Sequence, residues 1–226
     1  MTDFAEARRM MVEGQVRTCD VTDLRVLAAM RDVPRERFVP ADRQAVAYLD
    51  RDIEVPRQTK PGTGKGPRCL LKPAVLAKLI QSAQVDESSR VLDVGCATGY
   101  SSAVLSRLAS DVVALEEDRE LAALANETLA ALGCRNVTVV TGALARGAPA
   151  YAPFDVILLN GSTETVPEEL IRQLKDGGRL ACVLGHSPMG KATVYRSASG
   201  HATGQPVFDA AAPLLPGFAK PAEFVF

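Results

Sequence analysis

The sequence predicts an α/β fold with a mostly parallel sheet. Three observations lead there. Apolar strand-like runs alternate with amphipathic helical stretches from residue 73 onward, a glycine-containing turn joins one such strand to the next helix, and after Gly185 the alternation gives way to two strand-like runs with no helix between them. The 226 residues suffice for one sizeable core and are marginal for two. A single unit over 1–226 is therefore expected: a helical N-terminal extension (1–50), a loop (51–72) and an α/β core (73–226).

Residues 3–50 read as helical, with Val21, Leu24, Leu27 and Ala28 at helical spacing and breaks at Pro34 and Pro40. Residues 51–72 hold Pro56, Pro61, Gly62, Gly64, Gly66 and Pro67, breakers that neither a helix nor a central strand accepts, and read as a long loop. A helix starts at Pro73, with Val75, Leu76, Leu79, Ile80 and Ala83 apolar, followed by a strand over Arg90–Val94 and a helix from about Tyr100. Further strands are expected near 111–116, 136–141, 154–159 and 178–184, with helices at 118–132 and 167–174. Leu121, Leu124, Ala125, Leu129 and Leu132 mark one face of the 118–132 helix. Glu117, Asp118 and Glu120 crowd its start, where the helix dipole favours negative charge. Residues 192–196 and 205–208 read as the arms of an antiparallel hairpin.

An apolar fraction of 47% with 23% charged residues supports a packed core, and a net charge of −1 gives the whole molecule no pull toward nucleic acid or an anionic membrane. The mixed charges of the first twenty residues and the lack of an 18-residue apolar run point to a cytoplasmic protein with no membrane partner. Cys19, Cys69, Cys96, Cys134 and Cys182 form no C-x-x-C spacing, so reduced thiols and no metal site are expected. His186 and His201 stand in Gly/Ser-rich surroundings and read as surface imidazoles.

The most informative stretch is the turn after the Arg90–Val94 strand. Asp93 is followed by Gly95-Cys96-Ala97-Thr98-Gly99 and then by a helix, which puts small residues where the backbone approaches a ligand. Amides at that helix start suit an anionic group, and Glu116, ending the next strand 21 positions after Gly95, is placed for the two hydroxyls of a ribose. The dinucleotide pattern G-x-G-x-x-G is not met, because Tyr100 stands at its third glycine. The segment Gly62-Thr63-Gly64-Lys65-Gly66 lacks the Lys-Ser/Thr ending of a P-loop and no apolar strand leads into it.

With these residues in view, the chain resembles the protein-L-isoaspartate (D-aspartate) O-methyltransferase family. The likeness covers Arg9-Met10-Met11-Val12, residues 33–40 (Val-Pro-Arg-Glu-Arg-Phe-Val-Pro), Ala47-Tyr48-Leu49-Asp50, and the run from Val91 through Tyr100 to Leu105. It continues through Ala152-Pro153-Phe154-Asp155 and residues 173–180 (Gln-Leu-Lys-Asp-Gly-Gly-Arg-Leu). The resemblance implies a Rossmann-like class I methyltransferase sheet and S-adenosyl-L-methionine as methyl donor. It further implies transfer to the carboxylate of isoaspartyl residues in damaged protein, a repair reaction. By position it implies a cofactor site of Asp93, Gly95, Cys96, Ala97, Gly99, Tyr100, Glu116, Ala143, Leu144 and Asn160.

Departures from the family pattern gather at that site. Ala97 replaces the middle glycine of the loop, Leu71 stands where the family has an active-site serine, and Ala143 stands where it has an acid near the adenine. Asn160-Gly161-Ser162-Thr163 replaces the sequence lining the acceptor side. Substrate-loop candidates are Leu71, Arg68 and Lys72. Together with Arg57, Lys60 and Lys65 the last two put five positive charges and no acid between 57 and 72, either to steer an anionic acceptor or simply as a solvated loop. Three readings stay open: isoaspartyl methylation, methylation of a different anionic acceptor, and a noncatalytic S-adenosylmethionine-binding protein.

Overall fold

The computed structural model describes residues 3–55, 68–185 and 189–221. The chain opens with α1 (Phe4–Met11), capped by the Asp3 carboxylate on the Ala5 and Glu6 amides, and runs through a π turn into α2 (Leu24–Asp32), capped by Asp23. Two 3-10 turns follow, Arg35–Phe38 and Ala41–Val46, each entered from the proline that the sequence marks as a break.

The 51–72 region departs from expectation. Its two ends form short strands, β1 (Ile53–Val55) and β2 (Arg68–Leu70), paired antiparallel with Glu54 opposite Cys69. Prolines and glycines exclude a central strand, but a three-residue pair at the ends of the stretch escapes that rule. The expected loop between the strands, with Arg57, Lys60 and Lys65, lies outside the described residues.

Helix α3 (Pro73–Ala83) begins with proline at its first position, as its fixed φ and missing N–H favour. Its free amides are met from a distance: the Asp52 carboxylate accepts from the Lys72 amide at 2.8 Å and the Asp50 carboxylate from Ala74 at 2.9 Å. Then come β3 (Arg90–Val94), α4 (Tyr100–Leu105), β4 (Asp111–Glu116), α5 (Arg119–Ala131), β5 (Val137–Thr141), β6 (Phe154–Thr163), α6 (Glu168–Ile171), β7 (Leu174–Leu184), β8 (Lys191–Ala198) and β9 (His201–Asp209). Strand order is β5-β4-β3-β6-β7-β8-β9, parallel from β5 to β7 and antiparallel beyond.

This is the expected mostly parallel sheet with a C-terminal hairpin. The hairpin is tighter than its sequence suggests, because Ser199 and Gly200 both take positive φ and turn the chain in two residues. The helix expected over 167–174 is a single turn; β7 already starts at Leu174, pairing with Phe154. Each face of the sheet has its own core. Val91 joins the cluster under α1–α5, while Leu92 and Val94 join Phe154, Ile157 and Leu180 on the other face.

Candidate functional site

The loop after β3 is built by left-handed backbone. Gly95, Ala97 and Gly99 have φ of 76°, 52° and 95°, and the Gly95 and Cys96 amides donate to the Leu115 carbonyl at 2.8 and 3.2 Å. A Cβ on Gly99 would meet Leu129 Cδ1 at 3.1 Å and Ala125 at 3.2 Å, so glycine there lets α5 pack against the loop. Ala97 accepts the same backbone region with a methyl group, at a cost of roughly 1–2 kcal/mol. Thr98 ties the loop to the N-terminal extension, its hydroxyl donating to the Phe38 carbonyl at 2.6 Å.

Asp93 is fully buried beneath this loop. The hydroxyls of Ser101 and Ser102 donate to Oδ2 at 2.7 and 2.5 Å, and the Asn160 amide donates to Oδ1. Burial pushes its carboxyl up to about 6 although those three donors pull it down. Asp93 therefore locks β3, α4 and β6 together, and Asn160 serves as its partner from β6. Cys96 is also buried, its thiol pushed well up by burial and by the carboxylates of Glu116 and Asp93, which makes it a poor nucleophile.

Glu116 ends β4 where the sequence puts it, with no exposure. Oε2 accepts from the Ala97 amide at 2.8 Å, and Oε1 from the Glu117 and Asp118 amides at 3.0 and 3.2 Å. A further partner is unforeseen: the Arg68 guanidinium makes a two-pronged contact, Nη2 to Oε2 at 2.7 Å and Nε to Oε1 at 3.2 Å. Arg68 is only 2% exposed, so it is a buried ion-pair partner and neither a solvated loop cation nor a free steering charge. Its guanidinium lies against Gly95, where a Cβ would meet Nη2 at 2.7 Å. Leu215 closes the other side, 3.2 Å from that Cβ position and 2.6 Å from the one on Gly161.

The remaining sequence candidates divide. Leu71 and Tyr100 border a residual cavity of about 10 Å³ together with Cys69, Leu70, Leu76, Gly95, Cys96, Ser101 and Asn160. The Leu71 side chain is buried, and its carbonyl accepts from Arg35 Nη2 at 2.8 Å. Lys72 contributes its amide to Asp52. Ala143 is exposed beyond β5, and Leu144 turns into the opposite core, away from the cavity.

Sequence reasoning missed Arg35, which is fully buried, donates to the Ala47 carbonyl at 2.9 Å and sits 4.5 Å over the Tyr100 ring. It also missed Leu215, Asp50 and Asp52. The one local hint for Arg68 is the apolar run Cys69-Leu70-Leu71 that follows it.

With the geometry established, comparison with known proteins is direct. The family model described as protein-L-isoaspartate(D-aspartate) O-methyltransferase matches residues 6–206. The chain belongs to this family. Among relatives named protein-L-isoaspartate O-methyltransferase, the one from Koribacter versatilis (strain Ellin345) is 36% identical over 200 residues, covering 88% of this chain and 86% of its own. One from Synechococcus sp. (strain JA-2-3B'a(2-13)) is 42% identical over 185 residues, 82% and 72% of the two chains.

A solved protein-L-isoaspartate O-methyltransferase superposes with a TM-score of 0.80 at 25% identity, over 93% of this chain and 66% of that one. A Plasmodium falciparum structure in complex with S-adenosyl-L-homocysteine shares the fold at 16% identity, with a TM-score of 0.75 over 95% of this chain. The family's enzymes are S-adenosylmethionine-dependent O-methyltransferases of protein repair. Among the described residues no helix is long and apolar enough to cross a membrane, and no cluster of His, Cys, Asp or Glu is arranged to hold a metal.

Proposed function

We propose that this chain is an S-adenosylmethionine-dependent O-methyltransferase that acts on isoaspartyl carboxylates of damaged proteins or peptides, with no nucleic-acid partner, in the cytoplasm. The observation that carries the reading is the buried Glu116 carboxylate at the end of β4, beside a loop whose left-handed residues keep side chains out of the way. Glu116 would take the ribose hydroxyls. Amides at the start of α4 suit the methionine carboxylate, and Cys96, Tyr100 and Asn160 flank the position.

The donor chemistry fits an adenosyl group. The ground beside Glu116 is taken in this arrangement, because the Arg68 guanidinium holds both carboxylate oxygens and lies against Gly95. An adenosyl group held there displaces Arg68 together with Leu215, which packs against Gly95 and Gly161.

When bound, the cofactor supplies an electrophilic methyl group on a sulfonium. The acceptor carboxylate, with a pKa near ~4, is ionised at neutral pH and needs no general base. What remains for the protein is orientation and exclusion of water. The apolar Leu71 wall excludes water and offers no hydrogen bond, where a hydroxyl to the carboxylate would contribute about 1.5–3 kcal/mol.

Leu71 is also the observation behind a second reading, a cofactor-binding scaffold with another acceptor or none. The deciding assay is transfer of a labelled methyl group to an isoaspartyl peptide by the wild-type chain and by Leu71→Ser. Transfer by the wild type, raised about tenfold or more by serine, is the expected result. Cofactor binding with no transfer by either protein would leave the second reading standing.

A further inference from the structure

We infer that Arg68 is a built-in competitor for the cofactor, holding the carboxylate oxygens of Glu116 that the ribose diol needs. This rests on the reading of Glu116 as the ribose-binding acid. The count of acceptors makes the case. Two carboxylate oxygens offer about four lone-pair positions. Glu116 already accepts five contacts: Ala97 N and Arg68 Nη2 on Oε2, and Glu117 N, Asp118 N and Arg68 Nε on Oε1. The three backbone donors belong to the turns on either side of the strand end and persist as long as the fold does. Arg68 is the separable one, and its fork uses one position on each oxygen. A vicinal diol donating to both oxygens asks for that same pair of positions.

Space points the same way. The guanidinium fills the volume that Gly95 leaves open by lacking a side chain, with Nη2 2.7 Å from a Cβ position there. A ligand backed against that glycine and an Arg68 bound to Glu116 exclude each other. The pair is also dry, at 2% and 0% side-chain exposure, so its charge-assisted bonds are not weakened by water. Cofactor affinity is thus set by a competition inside the chain: the diol gains Glu116 only when Arg68 gives it up.

The test is calorimetric titration of the full chain with S-adenosyl-L-homocysteine, comparing wild type with Arg68→Gln, Arg68→Met and Leu215→Ala. Both Arg68 variants are expected to bind about ten- to a hundredfold tighter than wild type, the range of one displaced charged hydrogen bond. Leu215→Ala, which adds room and leaves the ion pair, is expected to gain much less. Wild-type binding with no gain in the Arg68 variants overturns the inference and leaves the cofactor reading intact. An equal gain in Leu215→Ala overturns it too, since room alone would then limit binding. Absence of binding by every folded variant removes the cofactor reading together with the inference.

Should the Arg68 variants fold poorly, the wild-type protein still decides the matter. The Arg68 Nε–H resonance, assigned in the wild-type protein by through-bond correlation to its own side-chain carbons, is expected to lose its protection from exchange at saturating ligand. A resonance that stays protected in the complex shows Arg68 still on Glu116 and refutes the competition.

Discussion

Replacing Glu116 by Gln is the sharpest probe of the site's energetics. It removes the charge facing a guanidinium that is 2% exposed and that has no other acid within salt-bridge distance among the described residues. Breaking one side of a buried pair costs about 3–5 kcal/mol, because the surviving ion stays desolvated. Set against a total stability of roughly 5–15 kcal/mol, this is a large share. For a chain of this length it corresponds to a fall in Tm of about 6–20 °C. Arg68→Met is expected to cost a comparable amount by stranding the carboxylate. The double variant Glu116→Gln/Arg68→Met should cost about 2–3 kcal/mol less than the two single costs added, since neither charge is then stranded. Urea midpoints for the four proteins supply all the numbers. Single-variant costs under about 1 kcal/mol, or strict additivity in the double variant, would refute the claim that the pair is desolvated and coupled.

Two further outcomes follow from the loop. Asp93 titrates near 6 in the folded chain and near ~3.9 unfolded, so the stability it contributes is fully present below pH ~4 and is lost as pH rises through 6. The loss is about 3 kcal/mol. Asp93→Asn should flatten the fall in urea midpoint between pH 4 and 7 by that amount, and an unchanged slope would contradict it. Gly99→Ala is expected to cost roughly 2–3 kcal/mol through its φ of 95° together with close contacts to α5. Gly133→Ala, at φ 68° with open space around it, should cost only about 1 kcal/mol, and equal costs would remove packing against Leu129 from the account.

How much of this was readable in the sequence depended on the range of the interactions. β3 is buried along Val91–Val94 and shows as a short apolar run, entered by Arg90 and broken by Asp93, so its limits could be read directly. α5 carries its own cap in Asp118 and its own apolar stripe. The Gly95–Gly99 turn and Glu116 were likewise legible, because one β–α–β unit fixes their spacing. α6 was overestimated because Glu168, Glu169 and Leu170 suit a helix locally, whereas pairing of Leu174 with Phe154 starts the strand early. Arg68 read as a loop cation, either steering an acceptor or merely solvated, because nothing near it in sequence announces Glu116, 48 residues on. Arg35 hid in the same way: its acceptors are carbonyls of Ala47 and Leu71, and a carbonyl leaves no mark on a sequence.

The segment carrying Leu215 bears on how any ligand affinity is to be understood. It is held to the end of β6 by the Leu215 amide on the Ser162 carbonyl at 3.0 Å and the Ser162 amide on Pro213 at 2.7 Å, and just beyond by the Glu164 amide on the Phe218 carbonyl at 3.0 Å and the Lys220 amide on the Glu164 carboxylate at 2.7 Å, a few separate bonds in place of a ladder. So few bonds can open as a local fluctuation while the seven-stranded sheet stays formed. The open form is then a minor population with its own free energy, and a ligand that binds only that form shows an apparent dissociation constant equal to its intrinsic one divided by that population. A substitution that loosens residues 213–215 thus changes measured affinity without touching a single ligand contact.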